Sequence, residues 1–164
     1  MSSYNFKDTN FIVKSAFIAA IYAVITYLFL SLSYGPLQFR ISEILVLLIF
    51  YNKKFLPGLL LGCAIANLGS PLGLPDVILG TFASFLAFLF IPKAKNLFIA
   101  SLFPVLSMII PAITTYLLTE NTISFSLMTF YFMLSEFIVV SIIGVIVFKL
   151  LEKNSSFMKF IKEF

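Results

Sequence analysis

Apart from Glu136, the charges of this chain sit at or near the edges of its apolar runs, and nearly all the basic ones sit on alternate edges. Six runs follow one another, over residues 11–33, 41–51, 55–68, 75–91, 97–119 and 124–151. With each run crossing a bilayer and the N-terminus inside, ten of the eleven basic residues share the cytoplasmic side: Lys7, Lys14, Lys53, Lys54, Lys93, Lys95, Lys149, Lys153, Lys159 and Lys162. Arg40 alone lies outside. Such an asymmetry orients a membrane protein through the positive-inside rule. Four of the seven acids, Glu43, Asp76, Glu120 and Glu136, fall on the outer side or within the membrane. Acids there point to an outward-facing polar site for a donor-rich or cationic ligand.

Composition agrees, with 61% of residues hydrophobic and only 11% charged. A hydrocarbon core about 30 Å thick takes roughly 20 apolar residues per helical crossing. The 164 residues therefore supply six crossings only if some are short, and little is left for loops. The expectation is an all-α membrane protein: a compact six-helix bundle, multi-pass in the cell membrane, forming a single domain over residues 1–164 with both termini cytoplasmic. The first run lacks a convincing cleavage site and is too long for a signal h-region, so it reads as a retained helix. The positive-inside bias accounts for the net charge of +4, and no nucleic-acid partner is expected. The absence of histidine excludes histidine-based triads, HExxH zinc sites and histidine proton relays. Neither a catalytic residue, a metal site nor a cofactor is expected. Cys63, the one cysteine, lies in an apolar run and reads as a small packing residue. Asn154-Ser155-Ser156 matches a glycosylation sequon but falls on the inner side, so it reads as chance.

The second and third runs are too short for ordinary straight crossings. A hairpin of short helices inside a bundle accommodates them, and such interrupted segments flank binding sites in many transporters. A re-entrant hairpin without a ligand is the bland alternative. The outer loops, residues 34–40, 69–74 and 120–123, include two rich in Gly and Pro that are suited to close over a ligand. Small residues recur at four-residue spacing in the first run, Ala16 with Ala20 and Ala19 with Ala23, and Ser15 extends that face. A helix can approach such a stripe closely. It serves either internal packing or the docking of another subunit. Gly58, Gly62 and Ala66 repeat the pattern in the third run, where internal packing is the expected role. Tyr22, Tyr27, Tyr34 and Tyr51 read as candidates for interfacial belts.

The densest chemistry is Tyr34-Gly35-Pro36-Leu37-Gln38-Phe39-Arg40-Ile41-Ser42-Glu43. Arg40 and Glu43, three apart, either pair on one helical turn or leave Glu43 oriented with acceptor oxygens free. Asp76 opens the fourth run as a helix cap or as a ligand acid. Asn67 either closes the third run or offers its amide at a ligand edge. Glu136 lies twelve residues after Ser124, roughly 18 Å along a helix and so near the bilayer midplane. A carboxylate there is costly unless paired, protonated or facing a wet cavity. Gln38, Arg40, Glu43, Asn67, Asp76 and Glu136 are thus candidates for one cavity, with Tyr34, Phe39 or Tyr131 covering a ring face. Carboxylates and amides among aromatic rings suit a flat nitrogen heterocycle with several N–H donors.

These residues resemble a known family. The run Tyr34 to Glu43, and the stretch Pro57-Gly58-Leu59-Leu60-Leu61-Gly62-Cys63-Ala64-Ile65-Ala66-Asn67-Leu68 continuing to Asp76 and Gly80, look like the signature of QueT proteins. Ser135-Glu136 also resembles a family position. QueT proteins are substrate-binding S components of energy-coupling factor (ECF) transporters. The resemblance implies a six-helix bundle and uptake of a queuosine precursor, 7-aminomethyl-7-deazaguanine. Its implied partners are a transmembrane T component and two ATP-binding cassette ATPases, with Ala16, Ala19, Ala20 and Ala23 forming the docking stripe. The chain has no P-loop of its own. One acid is implied for the ring edge and one for the cationic arm, with Glu43, Asp76 and Glu136 all open to either role. Alternatives are an S component for another vitamin or nitrogen heterocycle, a ligand-free structural subunit, or a carboxylate-only membrane enzyme.

Overall fold

The computed structural model describes residues 8–34, 37–119 and 123–164. Lys7, Gly35, Pro36 and Glu120, named above, lie outside the described residues. Four helices are long and apolar enough to cross a membrane: α1 (Thr9–Leu28), α4 (Leu74–Lys93), α5 (Leu97–Leu118) and α6 (Phe125–Leu151). Between α1 and α4 lie two shorter apolar helices, α2 (Ile41–Tyr51) and α3 (Leu56–Asn67). An amphipathic helix, α7 (Ser155–Lys162), closes the chain. No strand occurs among the described residues. Six apolar helices thus stand where six apolar runs were read, but only four reach crossing length.

α1 stops short of the expected boundary. Phe29 leaves the helical region, and a separate turn, Leu30–Ser33, follows. The Ser33 hydroxyl donates to the Phe29 carbonyl at 2.9 Å, and the Phe39 amide donates to the Leu32 carbonyl at 2.9 Å. The second bond brings Phe39 back beside the turn.

The buried faces meet in a core built on Tyr22, Leu47, Leu59, Phe88, Val140 and Phe148. The other faces stay apolar and exposed, as with Phe17 at 62%, Ile78 at 65% and Leu117 at 71%. That belt is the reverse of a soluble surface, where large contiguous apolar patches are avoided. Lipid is the solvent that accepts it.

The tightest packing is α1 against α3. A Cβ on Gly58 would meet the Ser15 carbonyl oxygen at 2.6 Å. On Gly62 it would meet the Tyr22 Cβ at 2.8 Å and the Ala19 carbonyl oxygen at 2.9 Å. Glycine at these two positions lets the backbones nearly touch, and dispersion contacts replace the hydrophobic drive that lipid does not supply.

The lysine-bearing corners gather at one end. Lys14 Nζ donates to the Glu163 carbonyl at 2.7 Å, Lys54 Nζ to the Phe164 carbonyl at 2.9 Å, and Asn52 Nδ2 to the Ile161 carbonyl at 2.8 Å. α7 is thereby tied across the start of α1 and the α2–α3 corner, with Ile161 buried beneath it. The Asn154 side chain accepts from the Ser156 and Phe157 amides, so the sequon asparagine is the N-cap of α7.

Candidate functional site

At the opposite end the loops converge over two cavities stacked along the same helices. The inner one is lined by Gln38, Arg40, Glu43, Asn67, Asp76 and Glu136, together with Gly80, Ser84, Met108 and Pro111. All six polar candidates, from four separate stretches of chain, therefore come together. Its volume is only about 20 Å³, enough for about one water-sized group. The outer cavity holds about 250 Å³. Its walls carry Tyr34, Gln38, Thr115, Met128, Tyr131 and Phe132, with Ser70, Pro71 and Leu72 from the α3–α4 loop. Gln38 lines both cavities. Pro111 and Thr115, one turn apart on α5, and Glu136 and Phe132, one turn apart on α6, continue the wall from one to the other.

Backbone irregularity surrounds the inner cavity. Residues Ile41–Leu47 of α2 wind as a 3-10 helix, which carries Glu43. α5 breaks at Met108, and Pro111 brings no N–H to the carbonyl of Ser107. α6 turns to π-helical winding over Phe137–Gly144, directly after Glu136. Long 3-10 stretches and π-helical turns are uncommon and concentrate at functional sites. Here they pack against each other, with Leu47 against Gly144.

Within the inner cavity the polar groups divide into satisfied and unsatisfied. Glu43 is 2% exposed, accepts from the Tyr22 hydroxyl at 2.5 Å, and lies 3.7 Å from Arg40 Nη1. Arg40 also donates to Asn67 Oδ1 at 2.9 Å and stacks over the Tyr34 ring at 5.2 Å. The Asn67 amide donates to Thr81 Oγ1 at 3.2 Å and faces the Cys63 sulfur at 3.6 Å, which in turn meets Ser84 Oγ at 3.2 Å. The Arg40–Glu43 ion pair read from their spacing is therefore present, but as one edge of a larger network. Glu136 differs. It is 2% exposed, and its Oε1 is buried with no hydrogen-bond partner among the described residues.

Other candidates are placed differently from their reading. Asp76 is not a hydrogen-bonded cap: Gly73 takes that position at φ 66°, and the Asp76 side chain lines the inner cavity, 7% exposed. Tyr34 lines the outer cavity, and its hydroxyl donates to the Ala66 carbonyl. Burial pushes that phenol up to about 12, so it stays a donor. Phe39 packs against the main core and lines neither cavity, so it is not placed to cover a ring. Tyr22, read as a membrane-interface residue, is fully buried and holds Glu43. Its spacing from Ser15, Ala19 and Thr26 on one helical face was the available signal. Ala19 and Ala23 are buried, whereas Ala16 and Ala20 remain exposed.

A 63-residue segment is 41% identical to the queuosine precursor transporter QueT of Lactococcus lactis subsp. cremoris, covering 37% of this chain and 37% of that protein. The match thus spans little more than a third of that relative's length. No solved structure matches. The sequence model of the QueT transporter family matches residues 12–153, which includes α2 to α6, all of α1 but its first three residues, and every residue of both cavities. With apolar helices of crossing length around a loop-covered polar cavity, this multi-pass membrane protein belongs to the QueT transporter family.

Proposed function

We propose that this chain is the substrate-binding subunit of an energy-coupling factor importer. It captures a queuosine precursor, 7-aminomethyl-7-deazaguanine, from the outer side and does not transform it. The observation that carries this reading is the double cavity, acid-lined in its inner chamber, at the end away from the lysine-rich corners. By the positive-inside rule those corners face the cytoplasm, so the cavities open outward. The acids suit a cationic, donor-rich heterocycle, and the named relative carries a queuosine precursor.

Energy comes from elsewhere in this reading, since the chain has no P-loop. A transmembrane T component and two ATP-binding cassette ATPases supply it. The exposed Ala16 and Ala20 offer the close-approach surface for the T component, while Ala19 serves the α1–α3 contact and Ala23 is buried. Two short helices, α2 and α3, complete the six crossings within the bundle. At about 2.0 Å per 3-10 residue and about 1.5 Å per α residue, α2 reaches about 20 Å.

Calorimetry on the purified chain with a panel of deazaguanines and vitamins tests the proposal. The expected result is one-to-one binding of 7-aminomethyl-7-deazaguanine, recovered unchanged. Recovery of altered ligand, or binding of a vitamin and of no deazaguanine, overturns it.

A further inference from the structure

The two cavities differ in size and charge so strongly that they set the direction in which a ligand enters. The inner cavity carries three carboxyl side chains, Glu43, Asp76 and Glu136, against one guanidinium, Arg40. Its about 20 Å³ admits a group of roughly one water's size, which excludes any ring. The outer cavity has about 250 Å³, walled by the rings of Tyr34, Tyr131 and Phe132 and the thioether of Met128. That is a slot for a flat ring, with Gln38, Ser70, Thr115 and Thr119 at its polar edge.

Of the acids below, Glu43 is already held by Tyr22 and lies beside Arg40. Glu136 Oε1 is buried with no partner among the described residues. Among the described residues no three His, Cys, Asp or Glu side chains are grouped to hold a metal ion. A compact organic cation fits both the volume and the orphaned acceptor.

We infer that the site selects a flat heterocycle bearing a short primary-ammonium arm, which binds arm-first, with the ammonium in the inner cavity on Glu136 and the ring in the outer one. This assignment rests on the cargo proposed above and adds the orientation and the residue that reads the arm. The ring's donor edge then meets neutral acceptors on Gln38, Ser70 and the two threonines. Discrimination comes from the arm: a neutral arm of the same shape leaves Glu136 buried and unpaired, which costs affinity.

The test is a two-by-two cycle on the full-length protein. Wild type and Glu136→Gln are each titrated with 7-aminomethyl-7-deazaguanine and with its neutral isostere, 7-ethyl-7-deazaguanine. Arm-first binding makes the ethyl compound weaker on wild type by about tenfold or more. Glu136→Gln then lowers the affinity for the amine to that of the ethyl compound and leaves the ethyl compound unchanged, a strongly non-additive cycle. Equal binding of the two compounds to wild type, or equal weakening of both by Glu136→Gln, overturns the orientation and leaves the proposed cargo standing. Failure of both compounds on wild type instead removes the cargo, and the orientation with it. The wild-type comparison requires no variant to fold.

Discussion

Glu136 concentrates the cost and the use of this site in one side chain. A buried carboxyl oxygen without a donor is unfavourable by about 1–3 kcal/mol, so the free protein carries an acceptor that a ligand can relieve. Gln is nearly isosteric and exchanges one acceptor oxygen for a donor. Glu136→Gln is expected to lower ligand affinity by about tenfold or more while the melting temperature stays within a few degrees of wild type, read by titration beside thermal unfolding. Native affinity would remove Glu136 from the site. Tyr22 plays a different part, since its hydroxyl holds Glu43 and contacts no cavity. Tyr22→Phe leaves a buried carboxylate short of a donor and is expected to cost about 1–3 kcal/mol of stability, measured by denaturation in detergent. Unchanged stability would show that Arg40 alone holds Glu43. Polar residues in apolar runs were legible because burying them unpaired is expensive, which is why Glu43, Asn67, Asp76 and Glu136 stood out, with Gln38 and Arg40 in the polar loop that leads into Glu43. Tyr22 was not, because a tyrosine in such a run is ordinary at an interface and its partner lies 21 positions away.

Among the elements, α1 presents one packed face and one exposed face. One face, with Ser15, Ala19 and Tyr22, is pressed onto Gly58 and Gly62 of α3. Gly62→Ala puts a methyl where Tyr22 Cβ and the Ala19 carbonyl oxygen already lie within 3 Å. It is expected to push the helices apart at a cost of about 1–3 kcal/mol; because Tyr22 moves with α1, ligand affinity falls as well. A drop in melting temperature with native affinity would separate the helix contact from the site. The other face leaves Ala16 and Ala20 exposed. Replacing both by Leu is expected to spare ligand binding by the isolated chain and abolish uptake and co-purification with the T component. Surviving uptake would retire the docking role. A four-residue stripe is the same string of small side chains whichever neighbour it meets, so sequence left both uses open. The helices around the cavity show the same limit: the 3-10 winding of Ile41–Leu47 and the π-helical winding of Phe137–Gly144 occur in runs whose apolar composition carries no mark of either.

For the molecule as a whole, the lysine corners and the cavity loops lie at opposite ends, and this predicts two accessible surfaces. Cys63 is buried and free, so single cysteines introduced elsewhere report topology in its presence. Pro71→Cys, at the outer cavity, should react with an impermeant maleimide in intact cells and be protected by ligand. Lys95→Cys should react only in inside-out membranes. The reverse pattern would invert the orientation and place the cavities inside. Membrane class, the sites of the apolar helices and the family were determined by the sequence alone, because hydropathy, charge order and motif are properties of neighbouring residues along a chain. The tertiary structure alone decided that the acids share one chamber too small for a ring, that Tyr22 and Arg40 engage Glu43, and that Glu136 is left without a donor among the described residues. Those outcomes depend on which distant groups meet, and a hydrogen bond acts only over about 3 Å.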